Sequence, residues 1–234
     1  MTTKYWVSTC TDPHLNLATE QALFDLCTDD TLILFLWQNE NTIVIGRNQN
    51  PYLECKVEEF IAKGGKIARR RSGGGAVYHD LGNLNFSLIC RSQYTDMVLY
   101  HSIVASVMNC LGLKTEFNGR NDILINERKF SGNAVYDDGL ICCQHGTILV
   151  DCNIDKMGYY LTPDKDKMSR NCVKSVSSRV INLSAVKHQL NISDVKTAFI
   201  VATSATALDK IPNDSAINRL YKLYSNKQWI FGGT

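Results

Sequence analysis

The sequence predicts an α/β layered domain with a mixed, largely antiparallel sheet and flanking helices. Three observations carry that expectation. Several strand-like runs are separated only by short turns, as antiparallel neighbours allow. Helical patterns stand apart from these runs instead of alternating with each strand. No repeat, low-complexity tract or Pro/Gly/Ser-rich linker divides the 234 residues, so they read as one domain, 1–234.

A short strand is expected near Tyr5–Val7. Pro13 then opens a helix on which Leu15, Ala18, Ala22 and Leu26 recur at helical spacing. The runs Leu32–Trp37 and Thr42–Gly46 read as strands, with Asn39-Glu40-Asn41 as a hairpin turn between them. A helix around Val57–Ala62 ends at Gly64-Gly65, which suits a left-handed cap. Lys66–Arg71 reads as a strand, Gly73–Gly75 as a tight loop, and Asn85–Cys90 as a further strand after a turn at Asp80–Asn83. A helix near Tyr100–Leu111 stops at Gly112. Asp122–Ile125 and Lys129–Ala134 flank a turn at Asn126-Glu127, and Gly146–Val150 continues the β character. Ser193–Leu208 and Ser215–Tyr224 read as helices.

Composition excludes several classes. Hydrophobic residues make up 44% of the chain, ordinary for a packed core, and the formal charge is +2. A near-neutral chain has no general attraction to nucleic acid or acidic membrane, so any cationic site is local. The densest apolar run, Leu32–Trp37, is too short to span a bilayer, and the N-terminus lacks a signal-peptide pattern. The chain reads as cytoplasmic. Nine cysteines without CxxC spacing fit reduced thiols better than disulfides or a structural zinc site.

The local cationic site is "ARRRSGGGAVYHD" (Ala68–Asp80). Successive glycines let the backbone approach a ligand with its N–H groups converging on an anion. Neither GxxxxGK[ST] nor GxGxxG is present, so no known nucleotide fingerprint assigns it. An exposed turn with solvated arginines is the plain alternative.

Three further segments, "NTIVIGRNQNP" (Asn41–Pro51), "GRNDILINERKFSGNA" (Gly119–Ala134) and "QHGTILV" (Gln144–Val150), accompany it in this order. Together the four resemble the lipoate–protein ligase family, and the likeness runs from about Asn16 to Trp229–Gly232. The resemblance implies a catalytic domain of the kind shared with biotin ligases. It also implies ATP and Mg²⁺ as cofactors, lipoate as substrate and lipoyl-AMP as intermediate. The partners implied are lipoyl domains of 2-oxoacid dehydrogenase E2 subunits and the glycine-cleavage H protein, with neither nucleic acid nor membrane.

By the same resemblance Lys129 is the catalytic residue, touching the lipoyl carbonyl and the α-phosphate. A compact three-donor ammonium suits two oxygens. Arg70, Ser72, Gly74, Gly75, Ala76, Val77 and Tyr78 are expected along the nucleotide, together with Asn121 and Asp122. Asp122 is also the expected Mg²⁺ ligand. Trp37, Gly75, His79 and Lys129 are expected around the lipoyl group. Alternation along a strand sends the three arginines to opposite faces and leaves one of them merely solvated, with Arg69 and Arg71 less firmly placed than Arg70, and an isolated histidine such as His145 is more often structural.

Family members continue past a WxxG-like segment, here Trp229–Gly232, into an accessory domain. The resemblance therefore implies weak or absent activation by this chain alone, with transfer from ready-made lipoyl-adenylate preserved: a separate accessory polypeptide completes the enzyme, or the sequence is a piece of a longer one, or the chain works mainly as a lipoyltransferase. Two other functions compete. A cysteine-dependent octanoyl or lipoyl amidotransferase would carry its nucleophile before Lys129, where this chain has Asn121-Asp122, while Cys142 and Cys143 follow it. A non-catalytic lipoyl or nucleotide sensor would retain the loop without turnover.

Overall fold

The run Leu32–Trp37 buries both of its faces, and that decides the layering. In the computed structural model, which describes residues 1–28, 30–118, 122–162, 179–209 and 212–232, Leu32, Leu34 and Leu36 enter one core while Ile33, Phe35 and Trp37 enter another. This is the two-residue period of a strand.

The chain runs β1 (Thr2–Val7), α1 (Pro13–Leu26), β2 (Thr31–Trp37), β3 (Thr42–Ile45), α2 (Pro51–Glu54), α3 (Val57–Ala62), β4 (Lys66–Arg69), β5 (Val77–His79), β6 (Asn83–Arg91), α4 (Met97–Cys110), β7 (Glu116–Asn118), β8 (Asp122–Ile125), β9 (Arg128–Asp137), β10 (Ile141–Leu149), α5 (Ile154–Tyr160), α6 (Ile192–Ala202), β11 (Thr206–Ala207), α7 (Asp214–Tyr224) and α8 (Lys227–Phe231). An eight-stranded sheet has the order β11-β1-β2-β6-β10-β9-β8-β7, and a three-stranded sheet the order β4-β3-β5. The large sheet is parallel at β11-β1-β2 and antiparallel from β2 to β7. The mixed, largely antiparallel sheet with flanking helices is therefore as the sequence predicts.

Helices cover both faces of the large sheet. Tyr100, Val104 and Val107 of α4 and Val195 and Phe199 of α6 pack on Leu34, Leu36 and Phe86. On the other face Leu17, Leu23 and Phe24 of α1 and Tyr224 of α7 pack on Ile33, Phe35 and Trp37. The start of α1 follows the sequence: Asp12 accepts hydrogen bonds from the backbone N–H groups of His14 and Leu15, with Pro13 in the first turn. The predicted cap of α3 is also found, with Gly64 at φ 77° and the Gly65 N–H on Phe60 O. No helix among the described residues is long and apolar enough to cross a membrane.

Two expectations are corrected. The hairpin at Asn39-Glu40-Asn41 does not exist, because β2 belongs to the large sheet and β3 is the centre of the small one. All four residues of β3 are buried, so it needs neighbours on both sides. Asn39 is itself buried, bonded to Asn16 and His79, and marks a crossing between sheets instead of a solvated turn. The helix expected to reach Leu208 ends at Ala202. Ser204 turns the chain at φ 49°, and Thr206–Ala207 joins β1 as a parallel edge strand. Other boundaries move by a few residues, as at Asn83–Arg91 and Ile141–Leu149.

Arg69 is structural. Its guanidinium donates to the backbone carbonyls of Gly46, Arg47, Gln49, Trp229 and Ile230, and Trp229 Nε1 donates back to Arg69 O. It fastens α8 to the loop after β3. Arg71 is the outlying member of the triplet, half-buried with its guanidinium over the Tyr136 ring at 4.9 Å. Arg69→Met strands several buried carbonyls, so the expected loss of stability is about 3 kcal/mol or more. A urea titration measures it, and an unchanged midpoint would refute the role.

Candidate active site

Between the two sheets lies a cavity of about 220 Å³. Leu17 of α1, Trp37 of β2 and Val44 of β3 give it an apolar wall, while β6 contributes Asn85 and β8 and β9 contribute Asp122 and Lys129. The glycine loop between β4 and β5 closes another side with Gly74, Gly75 and Ala76, continuing into Val77 and His79. Residues far apart in sequence meet because β10 lies between β6 and β9 in the large sheet while β5 lies in the small one.

The loop's shape is set from behind by Arg70. Its Nη2 donates to Gly73 O at 2.7 Å and Gly75 O at 2.8 Å, its Nη1 to Val44 O at 3.2 Å, and its Nε to Ser72 Oγ at 3.0 Å. In a trans peptide the C=O and the following N–H point in opposite directions. Carbonyls of Gly73 and Gly75 held on the guanidinium therefore turn the Gly74 and Ala76 N–H groups the other way. Among the described residues no protein acceptor engages the N–H of Gly73, Gly74, Gly75 or Ala76. Converging free N–H groups form an anion-binding concavity. Burial lowers the Arg70 pKa to about 10, so it remains a cation at neutral pH. Of the three glycines, only Gly74 has a positive φ, at 90°.

Lys129 Nζ lies 2.7 Å from Asp122 Oδ1 across the β8–β9 pair, and both side chains are partly exposed at the cavity. His79 is buried. Asn16 Nδ2 donates to Asn39 Oδ1, which turns Asn39 Nδ2 toward His79 Nδ1 at 3.2 Å. The His79 proton is thereby assigned to Nε2, which has no partner among the described residues. Burial, reinforced by the Arg70 charge, depresses the His79 pKa to about 3, so the ring is a neutral donor. Asn85 Nδ2 is likewise buried and unpartnered.

A buried polar network underlies the loop. Glu20 Oε1 lies 2.9 Å from His145 Nδ1 and accepts from Ser87 Oγ at 2.5 Å, while His145 Nε2 lies 2.7 Å from Ser72 Oγ. Burial by itself would raise the Glu20 pKa, but His145 and the Ser87 and Cys143 hydrogen bonds outweigh it and hold the carboxyl below its usual range. Ligand atoms of Glu20, His145 and Cys143 lie within 4.8 Å of one another. The first two already bond each other, and burial pushes the Cys143 thiol well up, so the group satisfies itself by hydrogen bonds.

Arg70, Gly74, Gly75, Ala76, Val77, His79, Trp37, Asp122 and Lys129 thus meet around one cavity. Ser72 and Tyr78 are not on its wall. Ser72 Oγ is held between Arg70 and His145, and the Tyr78 ring packs on Phe60 in the core behind β5. Asn121 lies outside the described residues. The sequence reading did not single out Leu17, Asn85 and Asn133 on the cavity wall, nor Glu20 beneath it. Glu20 sits amid Thr19 and Gln21 on α1, where local pattern suggests an ordinary polar face.

The lipoyl protein ligase A/B catalytic domain model matches residues 12–204. Among curated relatives, a lipoate-protein ligase A of Psychrobacter cryohalolentis is 36% identical over 97% of this chain and 71% of its own length. One of Blochmanniella floridana is 37% identical over 97% of this chain and 72% of its own. Among solved structures, P. falciparum LipL1 in complex with lipoate has a TM-score of 0.84 at 29% identity, covering 99% of this chain and 74% of that one. A bi-partite lipoate protein ligase from Thermoplasma acidophilum, described with its E2 lipoyl domain, gives 0.84 at 27%, covering 99% and 97%. A lipoate-protein ligase A bound with ATP gives 0.85 at 25%, covering 99% of each chain. The motifs, the shared fold and a family model spanning most of its residues agree: this chain belongs to the lipoate–protein ligase family, through its A/B catalytic domain.

Proposed function

We propose that this chain activates lipoate with ATP to lipoyl-adenylate and passes the lipoyl group to one lysine of a lipoyl domain. Residues 1–234 act as a single catalytic domain, working in the cytoplasm. The observation that carries the reading is that Lys129 and the free N–H groups of the glycine loop share one cavity with an apolar wall. Relatives named lipoate-protein ligase A and a neighbour bound with ATP support it.

In activation a carboxylate oxygen of lipoate attacks the α-phosphorus and pyrophosphate leaves. Charge grows on the phosphoryl oxygens, where the loop N–H groups and Lys129 stabilise it. The backbone of Gly75, Ala76 and Val77 lines the nucleotide, with Arg70 supporting from behind, and Trp37 and His79 face the acyl group. In transfer the acceptor amine attacks the acyl carbon, the bond to the phosphate oxygen breaks, and AMP leaves. Asp122, beside Lys129 at the mouth, orients the incoming amine.

Asp122 also fits Mg²⁺, which commonly takes one or two carboxylates plus substrate phosphates. It is the one carboxylate among the described residues of the cavity wall. A bound Mg²⁺ would neutralise phosphate charge there. The acceptor is a lipoyl domain of an E2 subunit, as the Thermoplasma neighbour's partner suggests, with the glycine-cleavage H protein as a second acceptor.

The test is mass spectrometry of a purified lipoyl domain after incubation with this protein, lipoate and MgATP, repeated with synthetic lipoyl-adenylate. A single lipoyl increment on one lysine is expected. Its absence in both reactions refutes the proposal.

Cysteine chemistry is disfavoured. Burial raises the thiol pKa values of Cys142 and Cys143 on β10, whereas a nucleophilic cysteine needs a thiolate. Replacing both with Ser should leave lipoylation largely intact. Isolation of an acyl thioester on either residue would instead favour the amidotransferase.

A further inference from the structure

Glu20 is not on the cavity wall, yet it stands at the foot of a hydrogen-bond chain that ends on the glycine loop. From Glu20 Oε1 the chain passes to His145 Nδ1, from His145 Nε2 to Ser72 Oγ, and from Ser72 Oγ to Arg70 Nε. Arg70 Nη2 then holds the carbonyls of Gly73 and Gly75. The direction of the two outer links is set by the two ends. A guanidinium only donates and a carboxylate only accepts. Arg70 therefore donates to Ser72 and His145 Nδ1–H donates to Glu20; with a single proton on the imidazole, the Ser72 hydroxyl donates to His145 Nε2. Each group in the chain is satisfied in that arrangement, and the carboxylate selects the imidazole tautomer that permits it.

We infer that Glu20 is a positioning residue for the glycine loop: through His145, Ser72 and Arg70 it fixes the loop carbonyls inward and so aims the loop N–H groups at the phosphates of ATP. The inference rests on the proposed function for its ligand, though not for its geometry. The Ser72-His145-Glu20 order is that of a hydrolytic triad. Ser72 Oγ is buried, off the cavity wall and already accepting from Arg70, so it serves as a strut. Without the Glu20 acceptor, His145 Nδ1–H is left unpaired in the core. The ring is then driven to carry its proton on Nε2, leaving the Ser72 hydroxyl without an acceptor and loosening its hold on Arg70.

The test compares Glu20→Leu with Glu20→Gln, since a Gln Oε1 can still accept from His145 and Ser87. In Glu20→Leu the KM for ATP should rise about tenfold or more while the KM for lipoate stays within about threefold, and Glu20→Gln should stay within about threefold for both. In the ligand-free protein the Arg70 Nε–H signal in a proton–nitrogen NMR spectrum should persist in Glu20→Gln and be lost in Glu20→Leu. If Glu20→Leu does not fold, Ser72→Ala removes the middle link and should give the same ATP-selective effect. An unchanged KM for ATP in Glu20→Leu, or equal rises in both KM values with the Arg70 signal retained, overturns the inference. If the wild-type protein binds no ATP, the proposed function fails, and the Arg70 signal in the two variants still decides the chain: loss only in Glu20→Leu supports it, retention in both overturns it.

Discussion

Lys129→Ala is expected to lose about two to three orders of magnitude in kcat/KM, equivalent to about 3–4 kcal/mol of transition-state stabilisation, while remaining folded. The loss is large because an ammonium at the cavity acts on charge that grows only as the acyl phosphate forms and breaks. The fold survives because the Lys129–Asp122 pair is partly exposed, and pairs of that kind contribute little to stability. Lys129→Arg should not restore the rate, since a bulkier planar guanidinium cannot reproduce a compact ammonium between two oxygens. Lipoate-dependent pyrophosphate release measures activation, and transfer from supplied lipoyl-adenylate measures the second step. Both should fall. Near-normal turnover would remove Lys129 from the chemistry and leave the glycine loop as the main source of stabilisation.

Much of this was legible in the sequence because its signals were local. Strand period, the helix start at Pro13 and the glycine loop each follow from a few adjacent residues. Topology was less legible. Asn39-Glu40-Asn41 has the composition of a turn, and nothing within it indicates that Asn39 is buried beneath His79 or that the strands on either side enter different sheets. The arginine triplet shows the same limit. Alternation predicts that its members diverge, but that Arg69 is the one fastening α8 depends on carbonyls contributed by residues 20 or more positions away. Glu20 was invisible for a related reason: its partners Ser87 and His145 belong to β6 and β10, and a buried carboxylate is recognisable only once its donors surround it. Lys129 and the glycine loop could be singled out in advance. The network beneath them could not.

Gly46→Ala is the second change with a large expected effect, and it acts through the backbone of the glycine loop. Gly46 lies in "NTIVIGRNQNP", directly after β3, and a Cβ built there would stand 2.2 Å from Gly74 O and 3.2 Å from Gly74 C. Real Cβ atoms do not approach a backbone carbonyl so closely, so either β3 or the loop must move. β3 is fixed between β4 and β5, and Gly46 O is itself held by Arg69. The loop is the softer partner, although Gly74 at φ 90° has little freedom to rotate in place. Displacing the Gly74 carbonyl rotates the peptide joining Gly74 to Gly75 and with it the Gly75 N–H, because the two lie in one plane. The expected result is a rise of about tenfold or more in the KM for ATP, about 1.4 kcal/mol or more of lost binding. Gly112→Ala supplies the comparison. Gly112 follows α4 at φ 72°, with open space around it, so that variant is strained without meeting the site. Both substitutions should lower the unfolding midpoint, but only Gly46→Ala should weaken ATP. Equal KM values for ATP in the two variants would mean that the Gly74 carbonyl can yield without disturbing the loop, and that the close approach of Gly46 serves packing alone.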